Sequence, residues 1–259
     1  MDMYTNRYLL YNLAKSDFRQ KYLGSYLGIM WAFVSPLITV LIFIFVFQVG
    51  FKVPPISKVP FAVWLCTGII PWFYFSEALA EASLSIRNYS FLVKKVVFRV
   101  SLLPLVKIFS AFIIHVFLLG ILLALLLFGY AMYPSLYWIQ YFYYLLCLIT
   151  LLISLSWITA SLSVFTKDVS NMITVLLQFG FWMTPIFWRI EQIPEKYWII
   201  LQANPIYYII QGFRDTFLYS TWFWDRPIYS MYFWTFVAVL LCLGRVVFKK
   251  TRPHFADVL

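Results

Sequence analysis

Ten acidic residues, two histidines and nine glycines are all that this 259-residue sequence offers to the commonest catalytic chemistries. None of the glycines opens a G-x-x-x-x-G-K-[ST] run, so the backbone cradle that holds nucleotide phosphates is missing. Neither H-E-x-x-H nor G-x-S-x-G occurs, which removes the zinc-hydrolase helix and the nucleophile elbow. The three cysteines, Cys66, Cys147 and Cys242, sit in apolar runs without metal-type spacing, and nothing in their placement implies a disulfide. Charged residues make up 12% of the chain against roughly 25% in a soluble domain. Apolar residues reach 63% and the mean hydropathy is +0.84. No water-surrounded core absorbs that excess, which excludes a soluble enzyme, and intrinsic disorder fails for the opposite reason. The class that remains is an all-α polytopic membrane protein.

Six stretches are long and apolar enough to be read as spanning helices: 32–50, 61–83 with Pro71 near its middle, 104–129, 138–165, 171–188 and 228–248. An even number of crossings puts both termini on one side. Lys and Arg decide which side. Arg7, Lys15, Arg19, Lys21, then Arg87, Lys94, Lys95, Arg99, Lys107, then Lys167, and finally Arg245, Lys249, Lys250 and Arg252 fall on one set of segments. The opposite set holds Lys52, Lys58, Arg189, Lys196, Arg214 and Arg226, offset by Glu191, Glu195, Asp215 and Asp225. Both termini are therefore expected in the cytoplasm. The net charge of +10 follows from this loop asymmetry and from anionic lipid, with no nucleic acid implied. The N-terminus carries no cleavable signal pattern, so the first span is expected to act as its own insertion signal.

The chain reads as one transmembrane domain over 1–259. It comprises an interface helix (1–31), five spans within 32–188 interrupted by a basic loop (85–103), an external region (189–227), a sixth span (228–248) and a cytoplasmic tail (249–259). Residues 1–31 mix Tyr, Leu, Phe and Trp with cations, as in a helix lying in the membrane interface. Gly24 and Gly28 form a GxxxG there, which suits either close helix approach or the bend into span one. In the basic loop, Phe91, Leu92, Val93, Val96 and Val97 alternate with cations. Such residues suit a short helix that presents side chains to a partner, with a plain lipid-facing loop as the alternative. In the external region Pro194 and Pro205 divide two apolar stretches, 197–201 and 206–217, too short to span and expected to re-enter or lie in the interface. Trp198, Tyr207, Tyr208, Tyr219, Trp222 and Trp224 fit an aromatic belt there.

Ionisable groups inside the spans are few. Glu77 and Glu81 lie one turn apart and read as partly solvated carboxylates pairing with basic neighbours, with a proton-coupling dyad as the sharper alternative. His115 reads as a polar side chain bonded to a neighbouring helix. Arg214 serves topology and interface anchoring, or else steers an anionic headgroup or phosphate. The aromatic content is high: 27 Phe, 19 Tyr and 11 Trp. Many of these rings face lipid or helix contacts. Spans one and five are particularly rich, with Trp31, Phe33, Phe43, Phe45 and Phe47, then Phe179, Phe181, Trp182, Phe187 and Trp188, and such rings are also able to stack on the C–H faces of sugar rings. Such contacts are loose enough for a sliding polymer.

Several local patterns then coincide. The stretch DFRQKYLGSYLGIMWAFVSPL, with Asp17, Arg19, Tyr22, Leu27, Gly28, Trp31 and Pro36, resembles the start of the ABC-2 type polysaccharide exporters, membrane subunits that move O-antigen, capsule or teichoic acid chains. GIIPWFYFSEAL (Gly68, Pro71, Trp72, Phe75) resembles their second span. SIRNYSFLVKKVVFRVSLLPL (Asn88, Leu92, Lys94, Leu103, Pro104) resembles their cytoplasmic coupling loop. FTKDV with Asp168 is similar to an Arg-Asp-Val element after span four, with Lys167 in place of the Arg. MTPIFW (Pro185), NPIYYIIQGFRD (Asn204, Pro205, Arg214) and the ending RPHFADVL complete the resemblance in order. It implies a homodimeric pore driven by two separate ATPase subunits that carry ATP and Mg, no cofactor or metal on this chain, and an undecaprenyl-linked glycan in the bacterial inner membrane. It also implies an ATPase-coupling surface around Arg87, Asn88, Lys94 and Lys95, and a path along spans one and five lined by Trp31, Phe43, Phe47, Phe181, Trp182 and Trp188. O-antigen is the first expectation, teichoic acid or capsule the second, and a drug or lipid exporter the third. A membrane-embedded acyl- or glycosyltransferase would need convergent acid–base residues, and only Glu77 and Glu81 are on offer.

Overall fold

The structure, a computed structural model, describes residues 3–21, 28–56, 59–94 and 99–259, with side chains from residue 10 onward. Eleven α-helices follow one another among them: α1 (Met3–Lys21), α2 (Trp31–Ile44), α3 (Phe61–Asn88), α4 (Ser90–Val93), α5 (Leu103–Ala124), α6 (Tyr141–Ser163), α7 (Asp168–Met183), α8 (Trp198–Gln202), α9 (Pro205–Arg214), α10 (Pro227–Thr251) and α11 (Phe255–Val258). Helices α2 and α5 run on through wider π turns, Phe45–Gly50 and Leu125–Gly129. Lys95, Gly24, Tyr22 and Leu27, all singled out from the sequence, lie outside the described residues.

Five helical stretches are long and apolar enough to cross a membrane: Gly28–Gly50, Phe61–Asn88, Val100–Gly129, Leu136–Ser163 and Pro227–Val258. The expected span over 171–188 differs. Its helix α7 has 16 residues, about 24 Å at 1.5 Å per residue, against a hydrocarbon core of roughly 30 Å. It stops because Pro185 disfavours helical geometry at the residue before it, and Thr184 is extended with ψ 134°. The described chain thus has five full-length candidates and one short helix where six spans were expected.

Helix α3 is the axis of the bundle. It packs against α5, α6, α7 and α9, and Val63, Leu65, Ile69, Ala78 and Ala82 on it are fully enclosed. Pro71 sits inside α3 without ending it, as apolar surroundings allow when neighbouring helices support the turn. At one end of the bundle a small cluster gathers Ile86, Val100, Leu103, Ala160, Val164, Phe248 and Phe255. The C-terminal segment read as the tail packs into this cluster. Helix α10 continues to Thr251, and Phe255 is buried edge-on against Phe248 at 5.7 Å. At the other end, α8 and α9 follow α7. Asn204 joins them: its side-chain oxygen accepts from the Ile206 amide (3.1 Å), capping α9, and its nitrogen donates to Thr184 Oγ1 (3.0 Å).

Candidate functional site

A groove of about 750 Å³ runs between α2, α3, α5 and α7. Trp31, Phe181 and Trp182 line it, beside Trp72 of α3. Trp31 and Trp182 are exposed, at 43% and 59%, so their rings face open space rather than core. Gly180 makes the crossing of α7 over α3 close, because a Cβ there would lie 3.0 Å from the Trp72 ring.

The aromatic surface continues beyond the groove as a column. Phe181 lies 5.9 Å from Trp72 and 5.8 Å from Phe43. Phe43 in turn meets Phe187 at 4.8 Å, and Phe187 stacks on Phe47 at 5.2 Å. Phe47 reaches Phe51 and Phe61. Of the six path residues read from the sequence, three line the groove, Phe43 and Phe47 extend the column, and Trp188 donates its indole N–H to the Trp182 carbonyl at 3.1 Å. The sequence reading missed the polar lining: Ser35 and Thr39 on α2, Thr174 and Gln178 on α7. Each pair is four residues apart, so a polar stripe at helical spacing inside an apolar span was the available signal.

Glu77 stands in the groove wall and opens an ion network. Lys21 Nζ of α1 lies 2.7 Å from Glu77 and 3.3 Å from Glu81. Lys107 of α5 bridges Glu81 (3.3 Å) to Asp17 (2.7 Å), and the Tyr89 hydroxyl donates to Asp17. Burial and that bond push the Tyr89 hydroxyl pKa up. The carboxylates are thus paired, as the milder reading expected, and their partners come from α1 and α5. Asp17 and Lys107 are themselves buried, so this network clamps α1 onto the bundle.

The residues expected to form a coupling surface gather at the same end. Arg87, Asn88, Lys167, Ser170 and Asn171 line a concavity of about 590 Å³. Phe91 and Lys94 on the next turn are exposed. Asp168 makes a local turn with Thr166.

Arg214 is buried, 2% exposed, where the sequence placed it at an outer interface. Its guanidinium stacks 3.6 Å over the Trp64 ring and donates to the Ile186 carbonyl at 3.1 Å. Gly68 makes room for it, since a Cβ there would come within 2.9 Å of Nη2. Arg214 therefore pins α9 to α3 and to the turn after α7. Its neighbour Asp215 pairs instead with Arg226 at 3.4 Å, and burial pushes that carboxyl pKa up against the cation's pull. His115 bonds the Tyr141 hydroxyl at 3.2 Å, joining α5 to α6 as expected.

Comparison with known proteins agrees with this arrangement. An O-antigen export system permease protein RfbA of Klebsiella pneumoniae is 28% identical over 195 residues, covering 74% of this chain and 73% of that protein. A protein of the same name from Myxococcus xanthus is 25% identical over 196 residues, with 75% and 74% covered. The family described as ABC-2 type transporter matches residues 8–218. This multi-pass membrane chain belongs to the ABC-2 type transporter family.

Proposed function

We propose that the chain is the membrane-spanning permease subunit of an ABC transporter that exports a lipid-linked polysaccharide, O-antigen before teichoic acid or capsule, across the bacterial inner membrane. The observation that carries this is the open groove walled by Trp31, Phe181 and Trp182 and continued by the Phe43–Phe187–Phe47 column. Rings hold a sugar by its C–H face without selecting sequence, so a polymer slides past them. The relatives' names support the substrate class.

Two copies pair through the exposed faces of α2 and α7, where Leu41, Phe45, Val175 and Phe179 are unburied, and the two grooves face one path. An undecaprenyl carrier delivers the chain from the cytoplasmic side, where both termini lie. Helix α7 with the turn after it makes the fifth of six crossings, and α8 and α9 re-enter from outside. ATP and Mg bind a separate ATPase, which docks on Arg87, Asn88, Lys94 and Lys95. Docking drives export only if the ATPase binds the two pore states unequally.

The test is complementation of a deletion strain, read as surface polysaccharide. Trp31→Ala with Trp182→Ala is expected to cut export severalfold more than it cuts folded protein. Equal loss of both would reduce the rings to packing and overturn the path. Lys94→Glu with Lys95→Glu is expected to abolish co-purification of the ATPase while the chain still inserts. Survival of both association and export rejects the docking surface. The glycan that accumulates on the carrier in the deletion strain decides between O-antigen and its runners-up.

A further inference from the structure

A second, smaller cavity lies beside α9 and shares no lining residue with the groove. Its volume is about 160 Å³, below the roughly 300–1,000 Å³ of pockets that take drug-sized ligands and close to the bulk of one sugar ring. Tyr207, Trp222 and Tyr229 contribute aromatic wall. Asp215 and Arg226 sit in it as a paired carboxylate and guanidinium, 3.4 Å apart, and Gln211 donates to Asp215 at 3.1 Å. The Gln202 amide and the Tyr207 and Tyr229 hydroxyls also line it and make no hydrogen bond within the described protein. Aromatic faces beside unspent amide, hydroxyl and ion-pair groups match the two faces of a pyranose, apolar C–H on one side and hydroxyls on the rim. A lipid tail would leave those polar groups unpaired, and one carboxylate is too few for a metal ion.

We propose that this cavity binds a single pyranose unit of a saccharide chain, held by Tyr207 and Tyr229 with Gln202, Asp215 and Arg226 on its hydroxyls. The proposal rests on the export reading, and places a sugar-holding point at the end of the bundle remote from 85–103. There, a bound unit would keep an emerging chain from slipping back.

The test uses the full chain in lipid nanodiscs, titrated with tri- to pentasaccharides of mannose, galactose, glucose and rhamnose and followed by saturation-transfer NMR. At least one series is expected to bind saturably. Tyr207→Phe with Gln202→Ala keeps the ring packing and is expected to weaken that binding at least tenfold at unchanged thermal unfolding, while Trp31→Ala with Trp182→Ala leaves this site's affinity intact. No saturable binding, or binding indifferent to the Tyr207 and Gln202 changes, overturns the proposal. So does tighter binding of glycerol phosphate that displaces the sugar, which would make this an anion site on Arg226. If surface polysaccharide depends on the chain but no oligosaccharide binds, the pocket fails alone. If deletion leaves surface polysaccharide unchanged while pocket-dependent binding persists, the export reading fails alone.

Discussion

The stretch Gly28–Gly50 that contains α2 and the helix α3 are both long enough to cross a membrane, yet 83% of the α3 window is enclosed and only 11% of the window over Gly28–Gly50. The more apolar of the two is the exposed one. In water the order would be reversed. Lipid tails are as apolar as leucine, so exposure to them costs a hydrophobic helix little, whereas the helix inside the bundle buries Thr67, Ser83 and Ser85, whose hydroxyls donate to the carbonyls of Trp64, Ala80 and Ala82 one turn back on the same helix. Hydropathy therefore finds these helices without telling which is central.

That contrast can be broken by substitution. The largest effect is expected where α1 meets α3 and α5. Lys107→Met strands the buried carboxylate of Asp17, and breaking such a pair costs about 3–5 kcal/mol. Thermal unfolding in detergent would register it, and adding Asp17→Asn should recover most of the loss. A double variant no better than the single would refute the clamp. Next comes Gly212→Ala on α9. Its Cβ would fall 2.0 Å from the Tyr144 ring, an overpacking worth about 1–3 kcal/mol, read as a lower yield of monodisperse protein. Unchanged yield and melting would mean that Tyr144 yields freely. The smallest effect belongs to the exposed face: Phe179→Ala, 62% exposed on α7, is expected to change unfolding by less than about 0.5 kcal/mol. It should nonetheless weaken self-association measured by single-molecule photobleaching in vesicles. A large unfolding penalty would place Phe179 in a core that the single chain does not display.

The spans were legible because length and hydropathy in lipid suffice to mark them. Span five was misjudged at its end: the run of apolar letters continues to Trp188, but Pro185 halts the helix at Met183 regardless of hydropathy. Of the site, the rings were readable as the aromatic richness of spans one and five, whereas only the fold shows that Trp31, Phe181 and Trp182 line the groove and that Phe187 stacks between Phe43 and Phe47. Arg214 defied its sequence context because a guanidinium can be buried when an indole face and a carbonyl replace water, and the chemistry of Trp64 and Ile186 lies far from it in sequence. Lys21 as a partner of Glu77 and Glu81 was hidden for the same reason: the separation of 56 positions between Lys21 and Glu77 vanishes only on folding.

One amide ties two proline-started turns together. Asn204 holds Thr184 with one end of its side chain and the first turn of α9 with the other. A slide of α7 by a single residue rise, about 1.5 Å, would stretch the 3.0 Å link beyond bonding. The short helix α7 and the start of α9 are thus linked through one side chain. Asn204→Leu should uncouple them, visible as separate amide-exchange rates for 168–183 and 205–214 where the native chain gives one.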